Sequence, residues 1–208
     1  MSWISRLKQR AREQRGVAVL EAAFVTPVFF TLILGVCEIG LCMNDYLAVS
    51  SAVRMGAREA STTGADTYSD YMVLQAVGEG SSALNPSKIS RIVIFKPTTF
   101  GELPTSTCMA GTPSAGTGAT RVGACNTYVS TDMNRPEANF GCLTTQNLDR
   151  YWCPTSRKIT LSTTTSGTGT DYIGVWIQYQ HAWLTKMFGT DKTLTDVSII
   201  RLEPRTKT

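Results

Sequence analysis

The chain has 208 residues, 42% of them hydrophobic and 17% charged, with 20 Lys and Arg against 16 Asp and Glu. That length allows one domain plus a membrane segment. Positions 1–16 hold Arg6, Lys8, Arg10, Arg12 and Arg15 against Glu13, which leaves 15 cations and 15 acids for the rest. The body therefore lacks the basic surplus that nucleic-acid binding needs.

The basic leader suits the cytoplasmic side of a membrane, because clustered cations resist translocation. Trp3, Ile4 and Leu7 among those cations also suit a helix lying on anionic lipid. After Gly16 the chain turns apolar. Ala22 to Cys37 is a run without a charge, about 24 Å of helix. The flanks Val17 to Leu20 and Ile39 to Met43 extend it to the ~30 Å of a hydrocarbon core. Glu21 then lies about 6 Å inside the inner boundary, where a carboxylate is costly and hence a functional signal. Glu38 lies roughly 31 Å beyond Val17, at the outer interface, where it is expected to be solvated. Pro27 removes a backbone hydrogen bond and can kink the helix. Thr26 and Thr31 are placed to satisfy the freed carbonyl.

Other readings of this segment compete. A secretory signal ends in a small-x-small site. Ala48-Val49-Ser50 offers one, but it lies far from the apolar run and Glu38 intervenes. A lipoprotein signal needs a small residue before its cysteine, and Val36 before Cys37 is branched. An unprocessed signal anchor fits the hydropathy and leaves Glu21 unexplained.

The helix is expected to continue through Asn44 to Thr63. Ala48, Ala52, Met55 and Ala60 form a narrow face suited to close packing. Arg54 and Arg58, four apart, share another face, expected to be solvated, with Glu59 and Asp45 nearby. Gly64 ends the helix, as glycine does in the left-handed region.

Gly16 with Glu21 five residues on, Pro27 in the apolar run, Glu38-Ile39-Gly40 near its end and Gly56-Ala57-Arg58 beyond it occur here in order. This set resembles the TadE-like family, pseudopilin subunits of Tad (tight adherence, Flp-type) pilus systems. The resemblance covers about residues 15 to 61, and Ala22 stands where processed Tad subunits often carry tyrosine. It implies cleavage by a prepilin peptidase between Gly16 and Val17. It also implies assembly through Glu21, Pro27, Glu38, Gly56, Ala57 and Arg58. Cleavage would free the Val17 amine to pair with Glu21 of the same or a neighbouring helix and set axial register. The implied partners are other pilin and pseudopilin subunits, the inner-membrane assembly platform and the peptidase.

Beyond residue 64 a second helix is expected over Tyr68 to Leu84, with Tyr71, Leu74, Ala76 and Val77 buried. Gly78 and Gly80 weaken its end, and Asn85-Pro86 stops it. Ile89 to Lys96 reads as a strand. Residues 97–157 are rich in Gly, Ser, Thr and Pro, and a loop of that length needs a staple. Cys108, Cys125, Cys142 and Cys153 supply it, since an exported chain meets an oxidising compartment. Four cysteines allow three connectivities; the sequential one closes the shortest loops and is the expected one. Zinc is disfavoured, because the ligands lack paired spacing and His181 is the only histidine. Cys37 and Cys42 read as small hydrophobes of the helix.

Ser166 to Gly169 reads as a turn. Tyr172 to Leu184 and Leu194 to Leu202 read as strands joined near Gly189 to Lys192. His181 reads as a packed strand residue. The expected fold is α+β and pilin-like: a long N-terminal transmembrane and assembly helix, a second helix and an antiparallel sheet with a disulfide-pinned insertion. The expected organisation is a leader over 1–16, removed on processing, an assembly helix over 17–64 and an exported domain over 65–208 with the insertion at 97–157.

Three function classes follow. The first is a minor pseudopilin that primes, caps or decorates a filament, anchored in the inner membrane with its N-terminus inside. The second is an unprocessed, surface-anchored binding module using Tyr128, Phe140, Tyr151 and Trp152 as an adhesive surface. The third, an enzyme, lacks a nucleophile elbow, a phosphate loop or a metal cluster. Asp132, Glu137 and Asp149 read as solvated acids. No cofactor and no metal are expected.

Overall fold

The computed structural model describes residues 3–160 and 169–204, with side chains in the first helix described from Val19 onward. Part of the turn expected at Ser166 to Gly169 lies outside the described residues.

Helix α1 runs over Trp3–Thr63, about 92 Å at 1.5 Å per residue. Its two halves do different work. Val19 to Val36 is exposed on every side; Phe24 is 73% and Val36 72% exposed. Apart from Phe188, which lies beside Gly35, no other part of the described chain covers them, and a helix that is apolar on all sides requires a membrane or a partner. From Val49 the burial becomes one-sided: Val49, Ala52, Val53, Ala57 and Ala60 are buried at 3.6-residue spacing. Met55, expected on that face, stays partly exposed.

Helix α1 ends at Thr63, but Gly64 is not among the residues with positive φ. Its role is steric instead. A Cβ there would stand 2.6 Å from Leu202 Cδ2, so the missing side chain admits the C-terminal segment. Ser61 Oγ donates to the Arg201 carbonyl at 2.8 Å, and Glu203 N–H donates to the Ser61 carbonyl at 3.1 Å.

Helix α2 covers Ser69–Gly80, shorter than the expected span to Leu84. Ser81 N–H still reaches the Val77 carbonyl at 2.9 Å. Asn85 then caps a 3-10 turn by accepting from Ser87 N–H at 3.1 Å. Leu74 and Val77 are buried as expected. Val73 and Asp70 take the inward positions assigned to Tyr71 and Ala76, which are half-buried.

Strand β1 (Ile89–Phe95), helix α3 (Ser106–Met109), strand β2 (Cys125–Tyr128) and strands β3 (Tyr172–Ala182) and β4 (Asp191–Arg201) follow. They give one antiparallel sheet in the order β2-β1-β3-β4. Alternation sends Ile173, Val175, Ile177 and Tyr179 of β3 toward the core that contains α1 and α2. Trp176 points the other way, into a second cluster with Val93, Phe95, Cys108 and Cys125.

The part of the insertion around Cys108 and Cys125 thus covers the outer face of the sheet, while Tyr128, Phe140 and Trp152 join the core on the helix side. The insertion is not structureless: besides α3 and β2 it contains 3-10 turns at Ser130–Asn134, Glu137–Asn139, Arg150–Trp152 and Pro154–Ser156. Disulfides join Cys108 to Cys125 and Cys142 to Cys153. Cys37, exposed, and Cys42, half-buried, are free.

Candidate assembly site on the N-terminal helix

Gly16 and Val17 lie within the α1 backbone, and their side-chain surroundings fall outside the described residues. Glu21 is exposed, one turn beyond Val17 on the uncovered shaft. Pro27 is accommodated without ending the helix. Thr31 Oγ1 donates to the Pro27 carbonyl at 2.8 Å. It therefore does not serve the Ala23 carbonyl that the proline ring leaves free, as the sequence suggested.

Glu38 departs most from expectation. It is 2% exposed rather than solvated. Its carboxylate accepts the backbone N–H of Leu184 at 3.1 Å and that of Thr185, both in the loop between β3 and β4. Two helical turns on, Asp45 Oδ2 meets His181 Nδ1 at 2.7 Å. Glu38, Cys42, Asp45, Val49, Ala52 and Gly56 follow the three-and-four spacing of a single helix face. That face begins polar beside the shaft and turns apolar where the sheet covers it. Burial first, then the Asp45 carboxylate, raises the Tyr179 phenol above its ordinary range.

His181 is a buried strand residue, as its sequence context suggested. Its Nε2 has no hydrogen-bond partner among the described residues. Its ring meets Trp183 edge-on at 4.8 Å, and Trp183 meets Phe188 at 5.2 Å.

Gly56 and Ala57, which the family resemblance assigns to assembly, are buried within the chain's own fold. A Cβ on Gly56 would fall 2.6 Å from Val77 Cγ2, and one on Gly80 would fall 2.8 Å from Ala52 Cα. These two glycines set how closely α1 and α2 approach. Arg54 and Arg58 are exposed beside them.

A buried polar centre that no local pattern announces locks the insertion to α2. Arg157 Nη2 meets Asp70 Oδ1 at 2.5 Å, with both side chains fully buried. Asp70 Oδ2 also accepts from Asn126 Nδ2 at 2.8 Å and from Tyr128 OH at 2.7 Å. Asn126 exchanges two further bonds with the Trp152 backbone, and the Arg157 guanidinium stacks 4.3 Å from the Trp152 ring centroid. Burial, and then the neighbouring Asp70 carboxylate, raises the Tyr128 phenol well above its ordinary range.

The loop residues expected to be exposed are correspondingly inside. Tyr128, Phe140 and Trp152 are at most 1% exposed, so no adhesive aromatic surface exists at these positions; Tyr151 alone is half-buried. Asp149 is fully buried and accepts from the N–H groups of Gly141 at 2.7 Å and Cys142 at 3.0 Å. Asp132, also buried, accepts from Val129 N–H at 2.9 Å and Arg135 Nε at 3.0 Å. Glu137 is exposed as expected.

Among the described residues, no group of three or more His, Cys, Asp or Glu is placed to hold a metal. Within Val19–Thr63 the helix is long and apolar enough to cross a membrane, with a mean hydropathy of 2.1 over its most apolar window. Residues 16–58 match the family model described as TadE-like protein. No curated protein and no solved structure matches the chain.

Proposed function

We propose that this chain, which carries a TadE-like segment over residues 16–58, is a membrane-anchored structural subunit associated with a Tad pilus, and within that class a minor pseudopilin. The observation that carries the reading is the shaft of α1. From Ala22 to Leu34 it carries no charge and is uncovered on all sides, and it is headed by Gly16 and Glu21 in family spacing. Such a surface suits lipid before assembly and neighbouring helices after it.

In this reading the leader stays in the cytoplasm and the peptidase cuts between Gly16 and Val17. The new Val17 amine then faces a Glu21 carboxylate on its own or an adjacent helix. Breaking such a pair away from water costs about 3–5 kcal/mol, enough to select one axial register. The exported domain over 65–208 primes, caps or decorates the filament at the inner-membrane platform. Its partners are other pilins and pseudopilins, packed through the shaft rather than through Gly56 and Ala57.

The test is intact mass and N-terminal sequence of the native membrane form, with and without the cognate prepilin peptidase. A peptidase-dependent start at Val17 is expected. A start at Met1 in both strains would reduce the protein to an unprocessed, signal-anchored surface domain.

A further inference from the structure

The loop between β3 and β4 leaves a cluster of large apolar side chains uncovered: Leu184 is 76%, Phe188 49% and Met187 45% exposed. Trp183 meets Phe188 at a tilt in the same cluster, and Lys186, also exposed, sits between them in sequence. The hairpin itself closes through the backbone, with Trp183 N–H donating to the Thr190 carbonyl at 3.1 Å, so its closure does not draw on these side chains.

The tip is held at one height on α1. Glu38 accepts the N–H groups of Leu184 and Thr185, and a Cβ on Gly35 would stand 3.9 Å from the Phe188 ring. Gly35 lies about 27 Å along the helix from Val17. A hydrocarbon core of ~30 Å that starts at Val17 is therefore ending at this level. Tryptophan and other amphipathic or aromatic groups concentrate at that depth, and a lysine beside them can extend its ammonium to the headgroups.

From this juxtaposition we propose that the hairpin tip, residues 183–188, is a membrane foot that inserts beside α1 into the headgroup–acyl boundary of the outer leaflet. The inference rests on the reading of α1 as a spanning helix. The bilayer is the occupant because the patch continues directly from the apolar shaft at the depth where that shaft leaves lipid. The two N–H donors on Glu38 make a carboxylate tolerable at the same level, since its charge is already hydrogen-bonded when water becomes scarce. Helix and foot together give the exported domain two points of attachment, which fix its height and tilt over the membrane.

The test is depth-dependent fluorescence quenching of the full-length protein in mixed phosphatidylcholine–phosphatidylglycerol vesicles. The chain carries Trp3→Phe, Trp152 and Trp176 are buried, and a W183F variant isolates the Trp183 emission. Lipid brominated just below the headgroup is expected to remove most of that emission, and lipid brominated near the chain ends much less. Replacing the tip in an L184S/M187S/F188S variant is expected to weaken the shallow quenching. Absence of quenching in protein that resists carbonate extraction overturns the foot and leaves the anchor standing. Release of the whole protein by carbonate overturns the anchor and the foot with it. A Trp183 shielded from both brominated lipid and aqueous iodide places another protein on the tip and also overturns the proposal.

Discussion

Glu38 and Leu184 meet across 146 residues of sequence, the carboxylate of one accepting the backbone N–H of the other at 3.1 Å. The acid that closes the apolar run is therefore a clamp between the shaft and the far end of the sheet. With Asp45–His181 two turns on, it fixes how the C-terminal domain sits on its own helix. In E38A the Leu184 and Thr185 amides lose their acceptor. Their hydrogen exchange is expected to quicken, while amides in the β1–β3 ladder keep their protection. Unchanged exchange at both positions would show that the clamp does not persist in solution.

The Asp70–Arg157 pair holds the insertion to α2, and its two ends are not equivalent. Losing Asp70 leaves a guanidinium buried with only weak acceptors. Losing Arg157 leaves a carboxylate that still has Asn126 and Tyr128 as donors. Removing one member of a buried pair costs about 3–5 kcal/mol. Urea denaturation is expected to place D70A at the upper end of that range and R157A at the lower. Equal losses would mean that the Asn126 and Tyr128 bonds do not compensate.

This centre also marks where sequence reading stops. The long helix, the strands at Ile89 and Tyr172 and the Gly16…Glu21 spacing are local patterns, written in hydropathy and in short motifs. Asp70 and Arg157 are 87 residues apart, and neither stands in a context that announces burial. The same holds for Asp149 and for Cys125-Asn126-Thr127-Tyr128, which is too short to show alternation. Composition suggests a polar loop, whereas Asp132, Asn147 and Asp149 find hydrogen-bond partners within the fold and Tyr128, Phe140 and Trp152 fill the core. Glu38 was legible as an exceptional acid, but its partners lie in a hairpin whose approach only tertiary packing reveals.

Gly80 and Gly56 mark the closest approach of α1 and α2. At Gly80 the added Cβ would meet the Ala52 backbone at 2.8 Å; at Gly56 it would meet a Val77 methyl at 2.6 Å. A side chain can rotate, whereas a helix axis must translate. Overpacking of this kind costs about 1–3 kcal/mol, so G80A is expected to destabilise more than G56A. The thermal melting of the two variants in detergent decides the order, and reversal would mean that Val77 is the less yielding neighbour.

The Cys142–Cys153 bridge brackets the loop in which Asp149 binds the Gly141 and Cys142 amides. Its removal in C142A/C153A is expected to cost about 2–4 kcal/mol, by freeing the unfolded chain. The exchange protection of the Gly141 amide should fall with it. Retained stability in the double variant would assign the order of this loop to the Asp149 bonds alone.

Asp149 gives the fold a pH dependence of unusual sign. Burial, the largest influence, raises its carboxyl pKa above the ordinary aspartate range; the Gly141 and Cys142 N–H groups pull the other way, and the Asp70 carboxylate adds to the rise. The folded chain therefore holds this proton more tightly than the unfolded chain does. The stabilisation from that proton is fully present below the unfolded pKa of about 3.9. It is lost as pH rises through the higher folded value. D149N removes the titration and keeps one acceptor for the loop amides. Wild type is thus expected to be most favoured relative to D149N in acid, and to lose ground as pH rises toward neutrality. Urea midpoints of both proteins across that range measure the difference. A wild-type advantage that instead grows with pH would mean that the two N–H bonds outweigh burial and hold Asp149 ionised.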